Sequence, residues 1–237
     1  MIEAILFDLD GTLLPINTDQ FVDNYLKLIS SKMTKYMQPE QFIKELVAAT
    51  DVMVKDVDLN ISNEQSFFNA FSQSTGLARD EILPDFDAFY NEHFWILGND
   101  IIPKPIVKDI ISLARKKFKL VVATNPVFPL VALVERMRWA GIDQSDFVLI
   151  TSYELMHACK PNMEYFLEIT RQIDVEPEKC LMVGNDIDED MVAKKIGMKT
   201  FLVDEFLINR NGLLVESDYR GSLEDLYDLI TKLESKS

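Results

Sequence analysis

Ala4-Ile5-Leu6-Phe7-Asp8-Leu9-Asp10-Gly11-Thr12 opens the chain with four apolar residues, followed by two aspartates separated by one leucine. The apolar run predicts a short buried strand. On an extended segment residues i and i+2 face the same way, so Asp8 and Asp10 project together just beyond the strand's carboxyl end. Like charges that close raise one another's pKa and call for a cation. Gly11 accepts backbone conformations that a Cβ resists, which lets the chain turn sharply there and expose its amides.

Working outward from this stretch, the spacing of Phe21, Val22, Tyr25, Leu26, Leu28, Ile29 and Met33 predicts a helix. Pro39 suits a first helical turn, and Phe42, Ile43, Leu46 and Val47 make the next amphipathic stripe. Ser62 with Gln65 three residues on reads as a capping box before Phe67, Phe68 and Phe71, with Gly76 as the stop. A fourth helical segment carries Ile82, Leu83, Phe86, Phe89, Tyr90 and Phe94. Residues 16–97 hold 12 of the chain's 24 aromatic residues, enough bulk for a helical core of their own. They are expected to form a helical domain inserted into a first domain made of residues 1–15 and 98–237. The aromatic stripes are read as packing, and His93 and Trp95 near the return linker as hinge or core residues.

From Pro103 the pattern alternates. A helix over Ile106–Phe118 ends in the basic cluster Arg115-Lys116-Lys117, as the negative end of a helix dipole favours. After it come a strand over 120–123, a helix over 130–140, a strand over 147–150, a helix over 164–173, a strand over 181–183, a helix to Ile196 and a strand over 200–203. Short continuous apolar runs separated by amphipathic helices predict an α/β fold, a doubly wound parallel sheet covered on both faces. In such sheets ligands bind beyond the carboxyl ends of the strands.

The residues just past each strand are therefore informative. The second strand delivers Thr124-Asn125-Pro126, where a hydroxyl and an amide at a helix start would either seat a phosphate or carboxylate or simply cap the helix. The loop after the third ends in Cys159-Lys160-Pro161. A lysine at the positive end of a helix is misplaced by a few tenths to about 1 kcal/mol unless an anion lies nearby, so Lys160 is read as neutralising bound phosphate or the aspartates. Cys159 is read as a small buried residue and His157 as an exposed one. The fourth strand leads into Gly184-Asn185-Asp186-Ile187-Asp188-Glu189-Asp190, in which Asp186 and Asp190 share a face at i, i+4 and offer the oxygen ligands that Mg²⁺ takes.

The whole chain sets further bounds. A net charge of −15 argues against nucleic acid or an anionic membrane as partner, since the long-range field repels both. An anionic substrate then needs a local positive site or a metal. The two cysteines, Cys159 and Cys180, make no disulfide framework, and the first residues enter a strand without an apolar leader, which predicts a cytoplasmic location. No apolar run reaches the ~18 residues that a membrane span requires.

Asp8-Leu9-Asp10-Gly11-Thr12, Thr124, Lys160 and the acidic stretch from Gly184 to Asp190 together resemble, in order, the four signature motifs of the haloacid dehalogenase superfamily. The resemblance covers residues 1–14 and 98–237. It implies that Asp8 attacks a phosphoryl group to form an aspartyl-phosphate and that Asp10 serves as acid and base. It further implies that Thr124 binds the phosphoryl oxygens and Lys160 neutralises charge. Asp186 would join Asp8 and the Asp10 carbonyl around Mg²⁺, with Asp190 supporting the metal or Lys160. Where the superfamily commonly has Gly-Asp, this chain has Gly184-Asn185, so the main acidic ligand is Asp186 or Asp188. The insertion resembles the superfamily's helical cap. Dehalogenases of the superfamily generally lack the second aspartate, so Asp10 points to phosphoryl transfer.

The expected activity is hydrolysis of a small phosphorylated metabolite. A sugar phosphomutase on the same core is the alternative, and a non-catalytic binding protein is a third reading that the intact aspartate pair disfavours.

Overall fold

The computed structural model describes residues 1–214 and 216–233. Six parallel strands form one sheet in the order β3-β2-β1-β4-β5-β6. They are β1 (Ala4–Phe7), β2 (Lys119–Val122), β3 (Leu149–Ile150), β4 (Cys180–Gly184), β5 (Lys199–Val203) and β6 (Tyr219–Gly221). The alternation of side chains along each strand explains why the strands read as unbroken apolar runs. Ile5, Phe7, Leu120, Val122, Leu181 and Val183 join one apolar cluster. Ala4, Leu6, Val121, Cys180 and Met182 join another on the opposite face, under Tyr165, Phe166 and Ile169.

The insertion after β1 folds into four helices, α1 (Thr18–Lys32), α2 (Pro39–Lys55), α3 (Asn63–Thr75) and α4 (Arg79–Glu92), then a 3₁₀ turn over Phe94–Gly98. The capping box of Ser62 and Gln65 opens α3, and Gly76 closes it in the left-handed conformation, as the sequence predicts. The aromatic side chains of these helices are buried. Their cluster is continuous with the cluster on one face of the sheet, because Phe94 stacks on Trp139 (ring centroids 5.4 Å apart) and Tyr25 meets Phe128 (5.0 Å).

The remaining helices are α5 (Pro105–Ala114), α6 (Leu130–Trp139), α7 (Met163–Ile173) and α8 (Leu223–Lys232). Four expectations change. Helix α5 stops at Ala114, so the basic cluster Arg115-Lys116-Lys117 lies in the turn after it and not in its last turn. The third strand is shorter than 147–150, because Phe147 still belongs to the preceding turn and donates its N–H to Gln144 O (3.2 Å). The helix expected to run to Ile196 is a 3₁₀ stretch over Met191–Ile196, since acid side chains hold the amides before it. The sheet and its helical cover also extend past the predicted strand over 200–203, through β6 and then α8, which packs against α5. Among the described residues no helix is long and apolar enough to cross a membrane.

Candidate active site

The register of the sheet places the site. Phe7 is paired with Val122 on one side and Val183 on the other, so three central strands end level with one another. Asp8 N–H donates to Val183 O (2.8 Å) and Ala123 N–H to Phe7 O (2.7 Å), which extends both ladders by one residue. The strand order reverses at β1, whose two neighbours are reached in opposite directions, and the crevice opens beyond its carboxyl end. A cavity of about 170 Å³ lies there, with Asp8, Asp10, Thr124, Asn125, Asp186 and Asp190 in its wall and Thr18, Phe21 and Val22 of the insertion facing them.

Gly11 turns the chain away at φ +78°, and a Cβ there would come within 2.4 Å of Asn185 Nδ2. The Thr12 hydroxyl lies 3.3 Å from Asp8 Oδ2 and donates to Asn185 Oδ1 at 3.0 Å, while Asn185 Nδ2 donates to Phe206 O (2.7 Å). Asn185, which breaks the expected Gly-Asp pattern, thus ties the first turn to the loop after β5.

Lys160 is 1% exposed and donates to Asp8 Oδ1 (3.0 Å) and Asp190 Oδ1 (2.6 Å). Burial opposes its charge, but the carboxylates of Asp190 and Asp8 outweigh it and raise the ammonium's pKa well above the ordinary lysine value. Burial pushes the Asp190 carboxyl upward while Lys160 pulls it down. At 2.6 Å the two form an ion pair, because protonating Asp190 would leave the buried ammonium with Asp8 alone. Lys160 lies just before α7, which begins at Met163, capped by Asn162. Cys159 is fully buried and burial pushes its thiol upward, away from the thiolate a nucleophile needs. His157 is occupied by Glu168, 2.7 Å from its Nδ1.

In the acidic loop, Asp186 lies in the cavity wall. Its Oδ1 accepts the N–H groups of Asp188 (2.8 Å) and Glu189 (3.0 Å), and its Oδ2 accepts from Arg210 Nη1 (2.6 Å). Asp188 turns the other way, accepting from Arg210 N–H (2.9 Å) and Asn211 Nδ2 (2.8 Å) in the loop after β5. Asp190 also accepts the N–H of Asp186 (3.0 Å), so it braces the loop and Lys160 together.

The anion seat expected at a helix start after β2 is not built that way. Helix α6 begins only at Leu130, and its first N–H is held by the Glu154 carboxylate (3.0 and 3.2 Å), so an acid of the chain already occupies that positive end. Thr124 and Asn125 instead reach the cavity from the loop. Asn125 Oδ1 accepts the Lys160 N–H (3.2 Å) and its Nδ2 donates to Glu189 Oε2 (3.2 Å), orienting both neighbours.

Two participants escape the sequence reading. Arg136 of α6 is 1% exposed and places Nη2 2.9 Å from Asp10 Oδ2 and 3.4 Å from Thr124 Oγ1. Its signal is present in the sequence: it keeps helical step with the buried Ala132, Leu133 and Met137. Glu189 lies in the cavity wall, and burial, against the pull of Lys160, pushes its carboxyl up to about 7. Burial likewise raises Asp10 to about 6, against Arg136 and with Asp8 adding to the rise.

A family model described as haloacid dehalogenase-like hydrolase matches residues 2–197. The chain belongs to that family. This haloacid dehalogenase-like hydrolase is 26% identical to the pyrophosphatase PpaX of Anoxybacillus flavithermus, over 98% of this chain and 97% of that one. Its fold is shared with YfnB of Bacillus subtilis, bound to magnesium (TM-score 0.56, 19% identity, 97% of this chain and 98% of that one). It is also shared with the L-2-haloacid dehalogenase of Xanthobacter autotrophicus (TM-score 0.59, 16% identity, 99% and 100%). The fold alone therefore does not choose between phosphoryl transfer and dehalogenation, and the site residues have to distinguish them.

Three carboxylates line the cavity, those of Asp8, Asp10 and Asp186, and oxygen is the donor a hard divalent cation takes; on Asp186 the cation would replace Arg210 Nη1, which holds Oδ2 at 2.6 Å. Asp10 Oδ1 is buried without a hydrogen-bond partner among the described residues. Among those residues no three acidic, histidine or cysteine side chains close into a metal cluster by themselves. The set fits a cation shared with a bound phosphoryl group, for which few protein ligands suffice.

Proposed function

We propose that this chain is a Mg²⁺-dependent phosphatase that hydrolyses a small phosphomonoester through an aspartyl-phosphate on Asp8. The observation that carries the reading is the placement of Asp8. Its Oδ1 is held by Lys160, while among the described residues its Oδ2 meets the Thr12 hydroxyl alone, at 3.3 Å, beside Asp10 in one cavity. One carboxylate oxygen is anchored and the other is available for attack. Asp8 Oδ2 bonds to phosphorus, the bond from phosphorus to the leaving oxygen breaks, and Asp10 gives that oxygen its proton. Asp10 then takes a proton from the water that cleaves the acyl phosphate, which frees inorganic phosphate and restores Asp8. Thr124 and Asn125 bind the transferring oxygens, and Lys160 offsets their charge. Mg²⁺, held by Asp8, the Asp10 carbonyl and Asp186, would draw negative charge from the phosphoryl oxygens.

Residues 16–97 act as a cap over this step, and α1 excludes water from the cavity. Of the insertion's residues, Thr18, Phe21 and Val22 line the cavity, and none is an acid or base at neutral pH. That favours hydrolysis over a phosphomutase, which needs such groups from the cap to return the phosphoryl group. The cavity lies below the ~300–1,000 Å³ of pockets for drug-sized ligands, in keeping with a small substrate. Phosphate release from a panel of phosphorylated metabolites and pyrophosphate, with and without Mg²⁺, tests the reading. An isomerised sugar phosphate without free phosphate would overturn it.

A further inference from the structure

Arg136 is an arginine that the fold buries without satisfying. Its Nη2 serves Asp10 and Thr124, but among the described residues Nε and Nη1 have no hydrogen-bond partner, and neither does Asp10 Oδ1 opposite. Buried polar groups of native proteins are otherwise almost always paired, and an unpaired donor of a charged group is among the most costly. The guanidinium is held in place by two rings, Phe128 at 4.8 Å and Phe21 at 5.5 Å from their centroids. Phe128 belongs to the loop after β2, whereas Phe21 lies on α1 of the insertion. Arg136 itself is in the cavity wall and is paired with Asp10, whereas Lys160 is engaged with Asp8 and Asp190.

If neutralising Asp10 were its whole task, a single donor would be enough and the remaining donors would have no use. We propose that Arg136 selects substrates whose leaving group carries an oxyanion of its own, a carboxylate or second phosphoryl a few atoms from the scissile bond. That oxyanion accepts from the donors of Arg136 that the chain itself leaves unpaired. The reason is position. The transferring phosphoryl group is claimed by Asp8, Thr124 and Lys160, while Arg136 stands beside Asp10, the residue that meets the leaving oxygen. A planar fork fixed between two rings suits an oxyanion that arrives in one orientation. Phe21, on α1, is the insertion's side of that clamp.

The inference rests on the phosphatase reading, and the test separates the two. Wild type, Arg136→Lys and Arg136→Gln are assayed with Mg²⁺ on phosphoglycolate, pyrophosphate and phenyl phosphate, with thermal melting as the check on folding. We expect wild type to favour at least one of the two anionic substrates over phenyl phosphate by kcat/KM. The ratio should fall roughly 10- to 100-fold in both variants, the size of a charge-assisted hydrogen bond. Whichever of phosphoglycolate and pyrophosphate shows the loss identifies the oxyanion. A wild-type preference for phenyl phosphate, or a ratio unchanged in the variants, overturns the inference even if hydrolysis is robust. Calorimetric binding of the same three compounds to Asp8→Asn, with and without Arg136→Lys, reads the ratio without turnover. Arg136-dependent binding in a protein that hydrolyses none of them overturns only the phosphatase reading.

Discussion

Lys160 Nζ lies 2.6 Å from Asp190 Oδ1, and each residue is 1% exposed. Neither charge can be removed without stranding the other. Lys160→Met is expected to lose about 3–5 kcal/mol of stability in urea denaturation, the cost of leaving a buried charge unpaired, together with phosphate release. With Asp190→Asn it completes a double-mutant cycle. Additive losses would show that the two residues do not act as a pair.

Asp8→Asn is expected to reduce phosphate release to background while leaving the melting temperature close to wild type, and Asp10→Asn to be nearly as severe. Acid quenching of the wild type should trap a phosphoryl adduct on Asp8 that is missing from Asp8→Asn. Near-normal turnover by Asp8→Asn would refute the covalent mechanism.

A Cβ on Gly184 would fall 2.0 Å from Asp190 Oδ2 and 2.3 Å from its Cγ. Gly184→Ala therefore has to push Asp190 away from Lys160. We expect a loss of about 1–3 kcal/mol from overpacking, and a loss of activity larger than that destabilisation would cause. Thermal melting and phosphate release on the same sample check this; wild-type values for both would mean that the loop yields.

Phe94 stacks on Trp139 with its ring tilted by 17° and meets Phe21 edge-on at 6.2 Å, so it ties the insertion to α6. Phe94→Ala should cost about 3–5 kcal/mol by urea denaturation. Hydrogen exchange should rise first in α1 and α4. Protection lost uniformly across the sheet as well would argue against a local seam.

If Mg²⁺ is held by Asp8 and Asp186, chelation should abolish phosphate release and readdition should restore it. An ion that binds only the folded state also stabilises it, by about 2.7 kcal/mol at 100 times Kd. The melting temperature should therefore rise with Mg²⁺ in the wild type and rise much less in Asp186→Asn. Equal shifts in both would remove Asp186 from the ligands.

The apolar pattern along the chain dictates the parallel sheet and the order in which chemistry arrives at its edge. Apolar runs such as Ala4–Phe7 and Leu181–Val183 can be buried only between two layers of helices, and the polar residues that end such runs have to emerge at one edge. Asp8, Asp10, Thr124, Asn125, Asp186 and Asp190 all reach the cavity for that reason, and Lys160 reaches it through Asp8. The pairings among them arise only on folding. Nothing local says that Asp190 belongs to Lys160, that Asp188 turns to Asn211, or that Glu154 closes the end of α6 expected to seat an anion. Each partner is far off along the chain, so the choice depends on which strands are neighbours and where their loops cross. Arg136 marks the boundary: the helical pattern shows that it is buried, but only the folded chain places Asp10, Phe21 and Phe128 around its guanidinium.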